Sequence, residues 1–263
     1  MRKINILFCS LITIFACTCF ACTFKKGESE KAKVRFTTIR TDSVLFGGLY
    51  VEFTYPDSAD DASLESLQRI FMEKTFGEAF VGLSPQQALD TCAAEYFQFL
   101  NDAKQDNDNS VPISAYYNRI SNIVVLNGSR FISSVVYSEG YFGGAHGWKE
   151  ITGFVIDLAT GKLLTENDFA GEKYEQNMSD VLVRKIMEKN AVTTEMELEN
   201  LGYDVSVIRP NGNFSIDNHG LTYYFNEYEI APYSLGGTKI TIPYEELEIY
   251  ILSNSPLTTL IYK

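Results

Sequence analysis

A hairpin signature in the middle of the chain constrains its fold more than any other feature. Residues 116–126 and 130–137 are rich in β-branched and aromatic side chains, which favour strands. Asn127 and Gly128 lie between the two runs, and Asn-Gly is typical of tight hairpin turns because both residues tolerate positive φ. The sequence therefore predicts antiparallel sheet.

Further segments have strand or helix patterns. Apolar residues at helical spacing predict a helix that begins near Leu64 and ends at Gly77, and Ser84-Pro85 is a typical start for the next. The other predicted helices span residues 172–190 and 244–252. Residues 101–109 are predicted to form a surface loop, and residues 195–199 are predicted to form a solvated helix face or a loop. The remaining predicted strands are residues 34–41, 44–55, 148–157, 162–164, 214–216, 221–225 and 238–242.

The order of these elements indicates the fold class. Hairpins dominate and no strand–helix–strand unit recurs, so we predict an α+β fold: a mostly antiparallel sheet with hairpins, packed by several helices. We divide it into two α+β subdomains, residues 34–140 and 141–263.

Length and charge exclude several classes of protein. A chain of 263 residues with 45% hydrophobic residues can bury a core, which excludes a disordered protein. The formal net charge of −12 argues against a nucleic-acid-binding protein, which needs a basic face.

The first residues have the order of a bacterial lipoprotein signal. Arg2 and Lys3 precede a mostly apolar run over residues 4–16, and the chain turns polar after Cys22. We predict a signal peptide over residues 1–21, a lipidated Cys22 that anchors the protein in a membrane, and a tether over residues 22–33. Cys17 is the alternative lipidation site, and a plain secretory signal is the alternative to a lipoprotein. Each version places the domain outside the cytoplasm, in the cell envelope.

Glycines concentrate in residues 140–147. No helix pattern follows them, because strand-like residues begin at Trp148, so a phosphate-binding loop is not predicted. Gly143 and Gly144 either supply positive φ at a strand junction or belong to a ligand loop with Tyr141, His146 and Trp148.

Few residues have the chemistry of a catalytic centre. Two isolated histidines, His146 and His219, are too few for a zinc site, and His146 is either structural or a general base. A pair drawn from Glu139, Glu150, Glu227 and Glu229 would suit a glycosidase, but acids are abundant in this chain. Cys92 falls on the apolar face of a predicted helix and is expected in the core. We predict no catalytic residue, no metal and no cofactor.

Aromatic residues form the last notable cluster. Tyr223, Tyr224 and Phe225 continue into Tyr228 and Tyr233. Alternate strand residues face opposite sides, so part of this cluster is core, and the rest is either core or a platform for a partner or a glycan.

An ordered set of motifs resembles a known family. Over roughly residues 34–252 the chain is similar to the extracytoplasmic domain of the RsiV anti-sigma factor and to the N-terminal part of the peptidoglycan deacetylase PdaC. The resemblance rests on residues 143–147 (Gly-Gly-Ala-His-Gly), 157–164, 221–225, 228–236 and 242–244.

The resemblance implies a binding domain. RsiV binds lysozyme through this domain, whereas its sigma-binding and membrane-spanning segments, and the catalytic domain of PdaC, have no counterpart among these motifs. We therefore expect a non-enzymatic envelope lipoprotein that binds a lysozyme-like protein or a cell-wall component such as a peptidoglycan fragment. The alternatives are a cell-wall hydrolase that uses His146 or a glutamate pair, and a scaffold domain without its own ligand.

Overall fold

The fold comes from a computed structural model that describes residues 34–43, 48–60, 62–105 and 112–262. The predicted signal peptide, Cys22 and the tether lie outside these residues, as do the first residues of the strand predicted at 44–55.

Nine strands form two sheets in the described part of the chain. In chain order they are β1 Val34–Ser43, β2 Gly48–Ala59, β3 Tyr117–Asn127, β4 Phe131–Tyr141, β5 Trp148–Asp157, β6 Lys162–Leu163, β7 Phe214–Ile216, β8 Gly220–Phe225 and β9 Thr238–Pro243.

The two sheets are ordered β1-β2-β3-β4-β5-β6 and β7-β8-β9. Every neighbouring pair is antiparallel except β2 and β3, where Gly48–Glu52 lies parallel to Tyr117–Ser121. The predicted α+β class with mostly antiparallel sheet is confirmed, and so is the β3–β4 hairpin.

Helices connect and cover the strands. α1 begins after Ser63, whose hydroxyl accepts from Ser66 N, and it ends at Gly77. α2 begins at Pro85, with Ser84 Oγ accepting from Gln87 N, as the sequence predicts, but it continues to Gln105 through residues expected to form a loop. The helices are α1 Leu64–Phe76, α2 Pro85–Gln105, α3 Tyr174–Lys189, α4 Glu195–Asn200, α5 Tyr244–Leu247 and α6 Thr258–Ile261. The helix predicted over residues 244–252 is therefore shorter, with a 3-10 turn after α5.

The six-stranded sheet separates two apolar cores. On one face α1 and α2 pack through Leu67, Phe71 and Leu89 against Phe53 and Ile132. The opposite face of β4 and β5 belongs to a second core with α3 and the three-stranded sheet. Alternate side chains of β4 and β5 enter the two cores, since successive side chains of a strand point to opposite faces.

The predicted subdomain boundary between residues 140 and 141 falls inside β4. That strand pairs with β5 from Phe131 to Gly140, and the described residues belong to one compact unit. The two cores are therefore divided by a shared sheet, because β4 and β5 contribute residues to both of them.

Candidate ligand-binding site

The glycine-rich loop connects β4 to β5. Gly143 and Gly144 have φ of 98° and 94°, which L side chains rarely adopt. The Tyr141 hydroxyl donates to the Gly144 carbonyl at 2.9 Å, and strand β5 rather than a helix follows at Trp148. The predicted positive φ is confirmed, and the loop lacks the helix N-terminus of a phosphate-binding loop.

His146 lies exposed on this loop with both ring nitrogens engaged. Nδ1 lies 2.8 Å from the Gly147 carbonyl, which can only accept, so Nδ1 carries a proton. In the neutral ring Nε2 then accepts from the Tyr228 hydroxyl at 3.1 Å. The imidazole also stacks on Tyr233, with centroids 3.8 Å apart.

These contacts assemble an aromatic cluster at the surface, here called the His146 cluster, from the exposed His146 and Tyr228 and the half-buried Tyr233. Tyr228 is 63% exposed and has φ of 69°. That left-handed conformation costs about 1–2 kcal/mol for a residue with a Cβ, and such strain is typical of functional positions. Two segments that the sequence analysis singled out separately therefore meet.

Other members of the predicted aromatic cluster are core residues. Tyr224 is 3% exposed, and its hydroxyl lies 2.8 Å from Ser215 Oγ. Tyr223 is fully buried against Tyr174, with the two hydroxyls 3.0 Å apart. The prediction that part of this cluster is core is confirmed, and Tyr224 is not accessible to a ligand.

A cleft of about 670 Å³ opens on the helix side of the same loop. It lies between the end of α1, the middle of α2 and the inner face of β3, β4 and β5. Phe142 and Trp148 bring the loop into its wall, and Phe142 packs edge-on against Phe99 at 4.9 Å. Its aromatic lining consists of Phe76, Phe80, Tyr96, Phe99, Phe142 and Trp148.

Gly140 positions the indole of Trp148. A Cβ on Gly140 would lie 2.8 Å from Trp148 Nε1 and 3.0 Å from a ring carbon of Phe142. The missing side chain therefore lets both aromatic rings pack on the backbone of β4 and leaves Trp148 37% exposed.

Polar side chains occupy the floor of the cleft. Asn118 lies on β3, Ser138 on β4, and Glu150 and Thr152 on β5. Within the described part of the chain, none of these four side chains makes a hydrogen bond or an ion pair. The sequence analysis named Glu150 only as a candidate for a glycosidase pair and missed the other three residues, although polar residues at inward-facing strand positions were the available signal.

Three of the four glutamates that were considered for a catalytic pair are engaged by other groups. Glu139 forms ion pairs with Arg119 at 2.9 Å and Lys149 at 3.7 Å. Glu227 accepts from the backbone of Lys149, and Glu229 accepts from the backbone of Asn226. Glu150 alone of the four lines the cleft, together with Glu73 and Glu95.

The other residues that the sequence offered as candidates, His219 and Cys92, lie outside any arrangement of the described residues that indicates catalysis. His219 lies exposed in the β7–β8 turn. Cys92 is buried, which raises the pKa of its thiol to about 12, and this agrees with the prediction of a core residue. Among the described residues no group of three potential ligands could hold a metal, and no helix there is long and apolar enough to cross a membrane.

A second, more polar groove of about 960 Å³ runs along α3. Its lining mixes Lys173 and Arg209 with several carboxylates, and one of these, Glu166, accepts from the backbone of Gly212 at 2.9 Å. Because this groove carries charges of both signs and one of its carboxylates is already hydrogen-bonded, its lining indicates the chemistry of a ligand less clearly than the lining of the cleft does.

One segment of the chain is similar to a known protein family. Tyr224, Tyr228 and Tyr233 belong to a stretch that aligns with a family model described as a protein of unknown function. Residues 163–245 match DUF3298. The match covers less than half of the chain, and the glycine-rich loop and the cleft lie outside it. None of the curated proteins matches the sequence.

Two solved DUF3298 structures resemble the whole fold. A DUF3298 family member from Bacteroides fragilis is 28% identical, with a TM-score of 0.77 over 88% of this chain and 99% of its own. A DUF3298 family protein from Pseudomonas aeruginosa is 18% identical, with a TM-score of 0.57 over 85% of this chain and 98% of its own. The second likeness is one of fold alone.

Proposed function

We propose that this protein is a non-enzymatic lipoprotein of the cell envelope, anchored through Cys22, whose domain binds a lysozyme-like protein. The observation that carries the proposal is the His146 cluster. Residues 143–147 and 228–236, two of the motifs that resemble RsiV and PdaC, are distant in sequence and contact each other through this cluster.

The chemistry of the cluster suits a protein ligand. Tyr228 and Tyr233 offer flat rings with polar tips, which are enriched in protein interfaces. The net charge of −12 attracts a basic partner such as a lysozyme and speeds association at low salt.

The contacts of His146 favour binding over hydrolysis. Nδ1 bonds the Gly147 carbonyl, and Nε2, the nitrogen left to act as a base, already accepts from the Tyr228 hydroxyl, so it is not free to take a proton from a substrate. Glu139, Glu227 and Glu229 are held by other groups.

A cell-wall component is the second candidate ligand, and the aromatic cleft beside Trp148 favours it.

The test is a calorimetric titration of the full-length protein with a panel of lysozymes at low and moderate salt. We expect saturable binding that weakens as salt increases. Tyr228→Ala should weaken it by about tenfold or more, as loss of a central aromatic contact does. Tyr262→Ala, at another exposed tyrosine outside the cluster, is the matched control and should leave binding unchanged.

Two results would contradict the proposal. Absence of binding to every lysozyme in the panel would remove the lysozyme-like ligand, and equal losses in Tyr228→Ala and Tyr262→Ala would remove the His146 cluster as its site. Release of soluble fragments from peptidoglycan by the protein, abolished in His146→Ala, would establish the hydrolase in its place.

A further inference from the structure

We propose that the cleft beside Trp148 is a separate ligand site and that it binds a neutral oligosaccharide, the chemistry shared by the glycan backbone of a cell wall and by free sugars. The inference deepens the second candidate ligand of the proposed function, and it does not depend on lysozyme binding.

The floor of the cleft departs from the pattern of the rest of the sheet. Elsewhere most strand positions that face α1 and α2 are apolar, as at Ile132, Phe154 and Ile156. The buried polar exceptions, Asn122 and Ser134, both have hydrogen-bond partners.

In the cleft the same face carries an amide, two hydroxyls and a carboxylate, and Ser138 lies directly opposite Glu150 in the β4–β5 register. Asn118, Ser138 and Thr152 are half-buried there without a hydrogen-bond partner among the described residues, so contact with a ligand would satisfy groups that packing leaves unpaired.

These groups are free to bind a ligand. Asn118, Ser138, Glu150 and Thr152 have no side-chain partner among the described residues. Thr75, at the helix side of the cleft, is 6% exposed, and its hydroxyl also has no partner in the described part of the chain. Together they supply the mixture of donors and acceptors that sugar hydroxyls need.

The walls supply the complementary apolar surface. A pyranose ring has C–H faces that pack flat on aromatic rings, and Trp148 presents an indole held in place by Gly140. The volume of about 670 Å³ lies within the usual range for small-ligand sites, and aromatic walls with a few convergent polar groups are typical of them.

The charge of the cleft argues against an anionic ligand. Glu73, Glu95 and Glu150 line it, with Lys74 as the one basic side chain in its described lining. Acidic sugars and phosphates would be repelled, whereas neutral hydroxyl groups can donate to these carboxylates.

The chain carries its own reporter for the test. Trp148 is its single tryptophan, so tryptophan fluorescence follows occupancy of the cleft. Titration of the full-length protein with triacetylchitotriose, an amino-sugar trimer, and with cellotriose, a plain glucan trimer, distinguishes the two sources of sugar. We expect a saturable change with at least one of them, and none with trigalacturonate.

Matched variants locate the binding. Ser138→Ala, on the cleft floor, should weaken sugar binding by about tenfold, which corresponds to about 1.4 kcal/mol. Ser121→Ala, on β3 but outside the cleft lining, should leave it unchanged. The Trp148→Phe variant lacks the fluorescent reporter, so its sugar binding is measured by calorimetry. It should bind the sugar more weakly because a smaller ring faces it.

Three outcomes would overturn the inference. The first is no change of fluorescence with either trimer, and the second is an equal effect of Ser138→Ala and Ser121→Ala on the affinity for sugar. The third is a saturable change with butylammonium but not with sugar, which would indicate a cation site. Lysozyme titration of the same variants separates this inference from the proposed function, since Ser138→Ala should keep lysozyme binding and Tyr228→Ala should keep sugar binding.

Discussion

The imidazole of His146 stacks on the phenol ring of Tyr233, with centroids 3.8 Å apart and planes 20° apart. The stack joins the loop between β4 and β5 to the segment after β8, and the Tyr228 hydroxyl adds a hydrogen bond to the same ring. An exposed histidine thus connects two parts of the fold.

His146→Ala should lower stability slightly. The variant loses the stack on Tyr233 and both hydrogen bonds of the imidazole ring. Because these contacts lie at the surface, where water replaces them in part, we expect a loss of about 1 kcal/mol in the free energy of unfolding. For a domain of this size the melting temperature then falls by about 2–4 °C, which scanning calorimetry measures. His219→Ala is the control and should leave the melting temperature unchanged, since that side chain has no bonding partner in the described residues. An unchanged His146→Ala protein would show that the loop is held by other contacts.

Gly140→Ala should displace Trp148. The added Cβ would lie 2.8 Å from the indole nitrogen, so we expect overpacking to cost about 1–3 kcal/mol. Tryptophan fluorescence should shift to longer wavelength as the ring moves into water. Gly128→Ala has its nearest contact at 3.5 Å and should leave the emission unchanged. An unshifted spectrum in Gly140→Ala would mean that this glycine does not position the indole.

Asn122→Ala should destabilise the junction of β2 and β3. The side chain of Asn122 is 1% exposed, accepts from Thr54 N at 2.8 Å and donates to Thr54 O at 2.7 Å, just beyond the end of the parallel ladder. Alanine leaves both backbone groups unpaired at a cost of about 1–3 kcal/mol. Urea unfolding measures the loss, and Asn118→Ala, which removes no bond within the described residues, is the control. Equal unfolding midpoints for the two variants would contradict this role.

Stability should fall in alkaline solution. Burial raises the pKa of Tyr174 and of Tyr223 above the ordinary value of 10.0, and it raises the pKa of Cys92 from 9.0 to about 12. These groups stay neutral in the folded protein while the unfolded chain releases their protons. Their contribution to the free energy of unfolding is therefore complete below pH 9. It is lost as the pH rises above the ordinary pKa of each group, by about 1.4 kcal/mol per pH unit for each group.

Urea unfolding from pH 8 to pH 11 checks the pH dependence. Tyr174→Phe removes one of the groups, so its stability should fall less steeply with pH than that of the parent protein. Parallel curves for the two proteins would contradict the assignment. Phenolate absorbance should show the buried tyrosines ionising only as the protein unfolds.

Much of the fold could be predicted from local patterns. The β3–β4 hairpin, the start of α2 at Ser84-Pro85, the end of α1 at Gly77 and the positive φ of Gly143 and Gly144 depend on neighbours within a few residues. The α+β class followed from them. The hairpin turn was predicted at Asn127-Gly128 but comprises residues 128–130, because Asn127 still pairs with Ile132, and neither Asn127 nor Gly128 has positive φ. The length of α2 was underestimated, because polar residues such as Asn101 continue a helix on its solvent side.

The candidate sites were predicted only in part. His146, Tyr228 and Tyr233 were recognised as separate features, but nothing local indicated that they touch. Tyr224 was included as a candidate and is core, because the side of a strand that becomes buried depends on what packs against it. The floor of the cleft escaped notice, since a serine and a glutamate on neighbouring strands form a site only once the register is set.

The sequence by itself determined most strands, the start of α1 and of α2, and the acidic character of this protein, because short-range sterics, hydrogen bonds and side-chain periodicity decide them. Tertiary structure alone decided the parallel pairing of β2 with β3, the division of the sheet between two cores, the His146–Tyr233 stack and the cleft beside Trp148. Those features join residues that are dozens of positions apart. Their contacts depend on how whole elements pack, and no local period in the chain records that arrangement.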